Sequence, residues 1–152
     1  MAESKLRELS MDFSVDIINL VKYLKSNHET IIANQIGRSG TSIGANIHEA
    51  QYAQGKKDFI SKLEIALKEA SETGYWLELL HRTNYINDQQ YKILCYGTKI
   101  LSLLLEECKK LNIKKVQIGA NANNIASNRI IVKNGGFLFR ATGIKNFYRI
   151  EL

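Results

Sequence analysis

Arg38, Ser42, Asn46 and Glu49 recur at spacings of four, four and three, which sets a guanidinium, a hydroxyl, an amide and a carboxylate along one helical stripe. Such a row could grip a polar ligand. It could equally be a self-satisfied network in which Arg38 and Glu49 neutralise groups on neighbouring helices. Half-buried polar stripes must find partners, which favours the structural or subunit-interface reading. Gly37, Gly40 and Gly44, with Ala33, form a second stripe roughly 90° away. A phosphate loop would need Lys-Ser/Thr after its last glycine. Gly40 is followed by Thr41-Ser42, and the run sits inside a long helical period. Each glycine costs a helix about 1 kcal/mol against alanine. Three of them therefore call for a very close neighbour, the third helix or another subunit.

The remaining chemistry-bearing side chains are scattered. His28, His48 and His81 show no ligand spacing with each other or with the cysteines, so no metal site is expected. Cys95 and Cys108 fall in one helical segment 13 residues apart, about 20 Å along the axis, too far to bond within a subunit. They read as small buried thiols. The cations divide sharply. Residues 1–110 carry 14 Lys+Arg and 14 Asp+Glu, whereas residues 111–152 carry 7 Lys+Arg and 1 Asp+Glu. The net charge of +6 thus resides in the last stretch. Lys114, Lys115, Arg129, Lys133, Arg140, Lys145 and Arg149 are the candidate contacts to a polyanion, most simply nucleic-acid phosphates.

Four helices must position the first set of residues. Phe13, Ile17, Leu20, Val21 and Leu24 share one face of a helix over Ser10–Ser26. A second helix runs from Thr30 to Gln54 with Ile32, Ile36, Ile43 and Ile47 inward, and Gly55 is a plausible C-cap. A third spans Lys57–Arg82 with Phe59, Leu63, Ala66, Ala70 and Leu77 inward. Asn84–Asn87 turn the chain, and Asp88 caps a fourth helix striped by Tyr91, Leu94, Thr98, Leu101, Leu105 and Cys108. Long helices joined by short turns make antiparallel neighbours. The pattern changes near Leu111. Lys114–Ile118 alternates like a strand, and Asn121–Asn124 cap a helix through Lys133. Asn134-Gly135-Gly136 turns the chain, and Phe137–Ala141 pairs with Phe147–Glu151. The fold class is mainly α: an up-down antiparallel four-helix bundle over residues 1–111 with a small β-α-β-β appendage over 112–152. About forty residues seldom fold unaided. The tail must dock on the bundle, pair with another subunit's tail or stay loosely ordered.

Gln35–Glu49, Lys57–Leu63 and Ile65–Leu80 resemble the signature of the four-helix-bundle proteins encoded in intervening sequences of bacterial 23S rRNA genes. Arg38, Ser42, Asn46, Glu49 and Glu72 stand where that family has its polar signature. The resemblance covers residues 1–111 and implies an up-down bundle without catalytic residues. Similar bundles are accessory proteins of diversity-generating retroelements, forming pentameric rings that bind nucleic acid and a reverse transcriptase. Asn123–Asn128, Lys133–Phe137 and Tyr148–Ile150 are similar to the closing segment of GNAT acyl-CoA N-acyltransferases. That family binds the CoA pyrophosphate with a Gln/Arg-x-x-Gly-x-Gly turn between strand and helix. No such turn precedes this tail, and Arg38 occupies a required glycine position in Gln35–Gly40.

These readings converge on a non-enzymatic, oligomeric helical-bundle protein that scaffolds nucleic acid or a nucleic-acid enzyme, with no cofactor. The alternatives are a purely structural or protein-interaction bundle with an incidental tail, and an acyltransferase formed by gene fusion. Met1–Ser10 has no signal-peptide character and no apolar run approaches about 20 residues, so a cytoplasmic protein without a membrane partner is expected.

Overall fold

Apolar residues at helical spacing build α1 (Lys5–Ser26) in the computed structural model, which describes residues 5–95, 97–110, 112–123 and 125–152. Phe13, Ile17, Leu20 and Leu24 are buried on one face, with Val21 partly buried beside them. The helix begins at Lys5 rather than Ser10 because Leu6 carries the stripe one turn further and is itself buried. Five more helices and three strands follow as α2 (Ile31–Ala50), α3 (Lys56–Arg82), α4 (Asp88–Leu94), α5 (Gly97–Lys110), β1 (Lys115–Asn121), α6 (Ile125–Lys133), β2 (Phe137–Ala141) and β3 (Lys145–Glu151). The fold is mainly helical, with four long core helices, α1, α2, α3 and α5, and a small open sheet. No helix among the described residues is long and apolar enough to cross a membrane.

Helix ends depart from the expected bounds for local reasons. The second helix stops at Ala50, not Gln54. Gly55 is not its cap; it precedes α3 in an extended conformation, where Asp58 accepts from the Gln54 N–H at 3.1 Å. Asn87, not Asp88, is the cap of α4. Its side chain accepts from the Gln90 N–H at 2.9 Å while the Gln90 side chain accepts from the Asn87 N–H. Three helices end alike, on a non-glycine residue at positive φ: His28 after α1, Asn84 after α3 and Asn112 after α5. In each, the following N–H reaches back to the last turn, as Ile113 does to the Cys108 carbonyl at 3.1 Å. Asn112 therefore turns the chain from the last bundle helix into the tail.

The fourth helix is broken. Cys95 leaves helical geometry after Leu94, and Gly97, a weak helix former, opens α5. The expected Leu94, Leu105 and Cys108 are buried across the interruption, and among the described residues of α5 Ile100 and Leu104 join them in the core. The Thr98 and Leu101 side chains and residue 96 lie outside what is described. At the break, His81 stacks on Tyr91 with centroids 4.5 Å apart. Burial pushes the Tyr91 phenol up to about 12 and also raises the Cys95 thiol.

The glycine stripe of α2 faces α1, not α3 or another subunit. A Cβ at Gly37 would stand 3.1 Å from Val21, at Gly40 2.8 Å from Ile17, and at Gly44 2.9 Å from the Ser14 hydroxyl. The descending partner numbers show that the two helices run antiparallel. On the other side, α2 meets α3 through a buried pair of hydroxyls: Thr73 Oγ1 lies 3.0 Å from Ser39 Oγ and 2.8 Å from the Glu69 carbonyl. Thr73→Val keeps the shape but strips Ser39 of this partner. It should lower stability by about 1–3 kcal/mol in urea unfolding, with Ser39→Ala in the same background recovering part of the loss.

The sheet has the order β1-β3-β2, antiparallel throughout. Its inner face continues the core of the bundle: Val116, Ile118, Ala120, Tyr148 and Ile150 are buried, in one cluster with Leu63, Leu67, Leu105 and Cys108. The tail is docked, with α3 as its main support, and Ser102 of α5 bonds Asn134 at 2.7 Å. Beneath the sheet, Asn128 joins three segments. Its amide nitrogen donates to the Asn121 carbonyl at 2.9 Å, and its oxygen accepts from Tyr148 at 2.7 Å and from Asn146 at 3.1 Å. Asn124 lies outside the described residues.

Candidate nucleic-acid interface

Strand alternation sorts the basic residues. In β1 the even positions from Val116 to Ala120 are buried and the odd ones exposed. The register sets Lys115 opposite Glu151, Gln117 opposite Arg149, Gly119 opposite Phe147 and Asn121 opposite Lys145. Residues directly opposite share a face. Across the next ladder, Phe137 stands opposite Arg149 and Arg140 opposite Phe147. Lys115, Arg140, Lys145 and Arg149 therefore occupy the outer face together with Phe137 and Phe147. A bulge between Leu138 and Arg140 adds Phe139 to this surface, where the Arg149 guanidinium lies over its ring at 4.7 Å. Arg140 sits 5.8 Å over the Phe147 ring. Glu151 is the acid of this face. Its contact to Lys115, at 3.7 Å between two largely exposed side chains, is weak. The Arg149 Nε is buried without a hydrogen-bond partner among the described residues.

The other three cations are elsewhere. Arg129 and Lys133 are exposed on α6, and Lys114 is exposed just before β1. The seven candidates thus do not form one patch. Four share the sheet face, and two share a helix that packs against α3 and the sheet's first and third strands. Charge alone does not mark out the three phenylalanines. Their signal was present in the period-two series Lys145, Phe147, Arg149, Glu151, which interleaves charge and ring.

The polar stripe of α2 lies along its junction with α3. Arg38 is exposed, bonds Gln35 at 3.2 Å and approaches Glu72 at 3.8 Å. Glu49 accepts from Lys62, which raises the lysine pKa. The Asn46 amide donates to the Ser42 carbonyl at 2.8 Å. Burial and the neighbouring Glu72 raise the pKa of Glu69. These groups hold two helices together at their rim and converge on no common point. Among the described residues no group of three or more His, Cys, Asp or Glu could hold a metal ion.

The model of one family, the 23S rRNA-intervening sequence protein, matches residues 2–111. Among solved structures, the chain is similar to a crystal structure of a protein with unknown function from the S23 ribosomal protein family of Bacteroides thetaiotaomicron VPI-5482. The two share 52% identity with a TM-score of 0.66, over 68% of this chain and 98% of that one. No curated protein matches the chain significantly. The family match ends where α5 ends, so the sheet and α6 lie beyond it. With the family model spanning most of its length and a relative of this identity beside it, the chain belongs to the 23S rRNA-intervening sequence protein family.

Proposed function

We propose that this protein is a non-enzymatic, nucleic-acid-associated scaffold whose binding surface is the outer face of its C-terminal sheet. The observation that carries this reading is the juxtaposition of four cations and three phenylalanine rings on one exposed face with a single carboxylate. Cations track phosphates and exposed rings offer stacking surfaces, the combination by which single strands are held without sequence reading. The family relationship adds RNA as the first nucleic acid to test. The neutral charge of residues 1–110 supports assigning binding to the tail rather than to the helices.

The same reading includes a homo-oligomer, pentameric by family resemblance, with a nucleic-acid enzyme such as a reverse transcriptase as its protein partner. The exposed stripe of Met11, Val15 and Ile18 on α1, spaced by four and three, supports assembly through that helix. The polar stripe Arg38, Ser42, Asn46, Glu49 and Glu72 serves as a structural rim or subunit contact. Residues 1–111 are the ancestral domain, and 112–152 a fused fragment related to GNAT acyltransferases. Acyl transfer itself lacks support: Gln35–Gly40 lies within α2, where it cannot act as a strand-to-helix phosphate turn.

The test is a salt titration of single-stranded RNA binding. In Lys115→Ala/Lys145→Ala, affinity should fall and the log–log salt slope should flatten by roughly 0.7 for each phosphate contact removed. Unchanged affinity and slope would return the protein to a purely structural or protein-interaction bundle.

A further inference from the structure

Docking of the tail creates a cleft that neither part has alone. It is about 540 Å3, within the roughly 300–1,000 Å3 range of pockets that enclose small ligands, and opens between the C-terminal half of α3 and the end of β1. Tyr75 and Trp76 line the helical wall, and Asn121 and Asn123 the opposite one. Lys68 and Lys145 contribute cations from the two sides. The two rings meet edge to face at 4.9 Å. Glu72, the acid of the cleft, is already engaged by Arg38 and by the Trp76 indole N–H at 3.4 Å. Gly119 keeps the strand side open. Lys145 and Gly119 also belong to the outer sheet face, so the cleft is continuous with that surface.

We propose that this cleft receives one unstacked base of a single-stranded nucleic acid lying across the sheet. The base rests against Tyr75 and Trp76, its edge faces the amides of Asn121 and Asn123, and Lys68 and Lys145 hold the adjoining phosphates. A ring system flanked by cations and amides matches each part of a nucleotide, and stacking supplies affinity for any base. This inference rests on the sheet-face reading and adds a site to it.

Trp76 is the chain's one tryptophan, so its emission reports on the cleft directly. An oligoadenylate of about ten nucleotides is titrated into the full chain, with binding followed by anisotropy of a label on the oligomer and, separately, by Trp76 emission. Quenching at the same midpoint as the anisotropy change is expected. An abasic oligomer of equal length should bind through its phosphates but leave the emission unaltered. Tyr75→Ala, at a position 44% exposed, should weaken oligoadenylate binding roughly ten-fold. Binding by anisotropy without quenching, and with no effect of Tyr75→Ala, overturns the cleft and leaves the sheet-face reading standing. No binding by anisotropy overturns both.

Discussion

Gly40→Leu should destabilise the protein by at least about 3 kcal/mol, the upper part of the range for overpacking a close-packed core. For a chain of this length that is a fall in Tm of roughly 6–12 °C. The cause is specific. A single added carbon at Gly40 would lie 2.8 Å from two atoms of the Ile17 side chain, and Ile17 is fully buried. These atoms sit near the Ile17 backbone, so no flexible end can swing away. Gly40→Ala should show a smaller net loss, since alanine returns about 1 kcal/mol of helix propensity. Gly74 in α3 is the internal control. A Cβ there meets nothing within 4 Å, so Gly74→Ala should raise stability by up to about 1 kcal/mol. In an Ile17→Ala background, Gly40→Ala should turn from a loss to a gain. Urea unfolding of the four single variants and the double variant measures all of these. Additive effects at Ile17 and Gly40 would refute the close approach.

Ile118→Asp should undock the sheet while leaving the bundle folded. Ile118 is buried in the inner face of β1, within the cluster that joins Val116 and Ile150 to Leu67 and Leu105. A carboxylate there has no partner, and an unpaired buried charge costs several kcal/mol. A segment of about forty residues has little stability away from the bundle. The expected readout is hydrogen exchange: amides of β1, β2 and β3 lose protection, whereas those of α1, α2 and α3 around Ile17, Ile36, Ile43 and Leu80 keep it. Equal loss of protection in α2 would mean that sheet and bundle fold as one cooperative unit. The same variant removes the α3–β1 cleft and disperses the sheet's cations, so it links stability to the proposed binding.

Much of the helical part is legible in the sequence. The isoleucines of α2 and the leucines of α1 recur at the spacing that one buried face requires, and Ile36, Ile43, Ile17 and Leu24 are completely buried. The boundaries were less legible. The break after Leu94 carries no proline, and its only mark is Gly97. Beyond it the buried face of α5 keeps the expected Leu105 and Cys108 and adds Ile100 and Leu104, which the single stripe left out. The positive-φ caps at His28, Asn84 and Asn112 also went unmarked by glycine, the residue that usually signals them.

What the sequence alone determined about this protein is what depends on neighbours along the chain. These are the helical and strand periods, the excess of cations after residue 110 and the resemblance of the bundle to its family. Tertiary structure decided everything that depends on neighbours across it. Glycines spaced along α2 announce that something comes close, but only packing made that partner α1. Seven cations announce a polyanion surface, but strand register decided that four join the phenylalanines on one face while the others do not. Trp76 and Asn121 are 45 residues apart in sequence and share a cleft only because the buried side of β1 docks beside α3. The physical reason is the same in each case. Periodicity is a property of one segment's backbone geometry, whereas a site is made where two segments bury their apolar faces against each other.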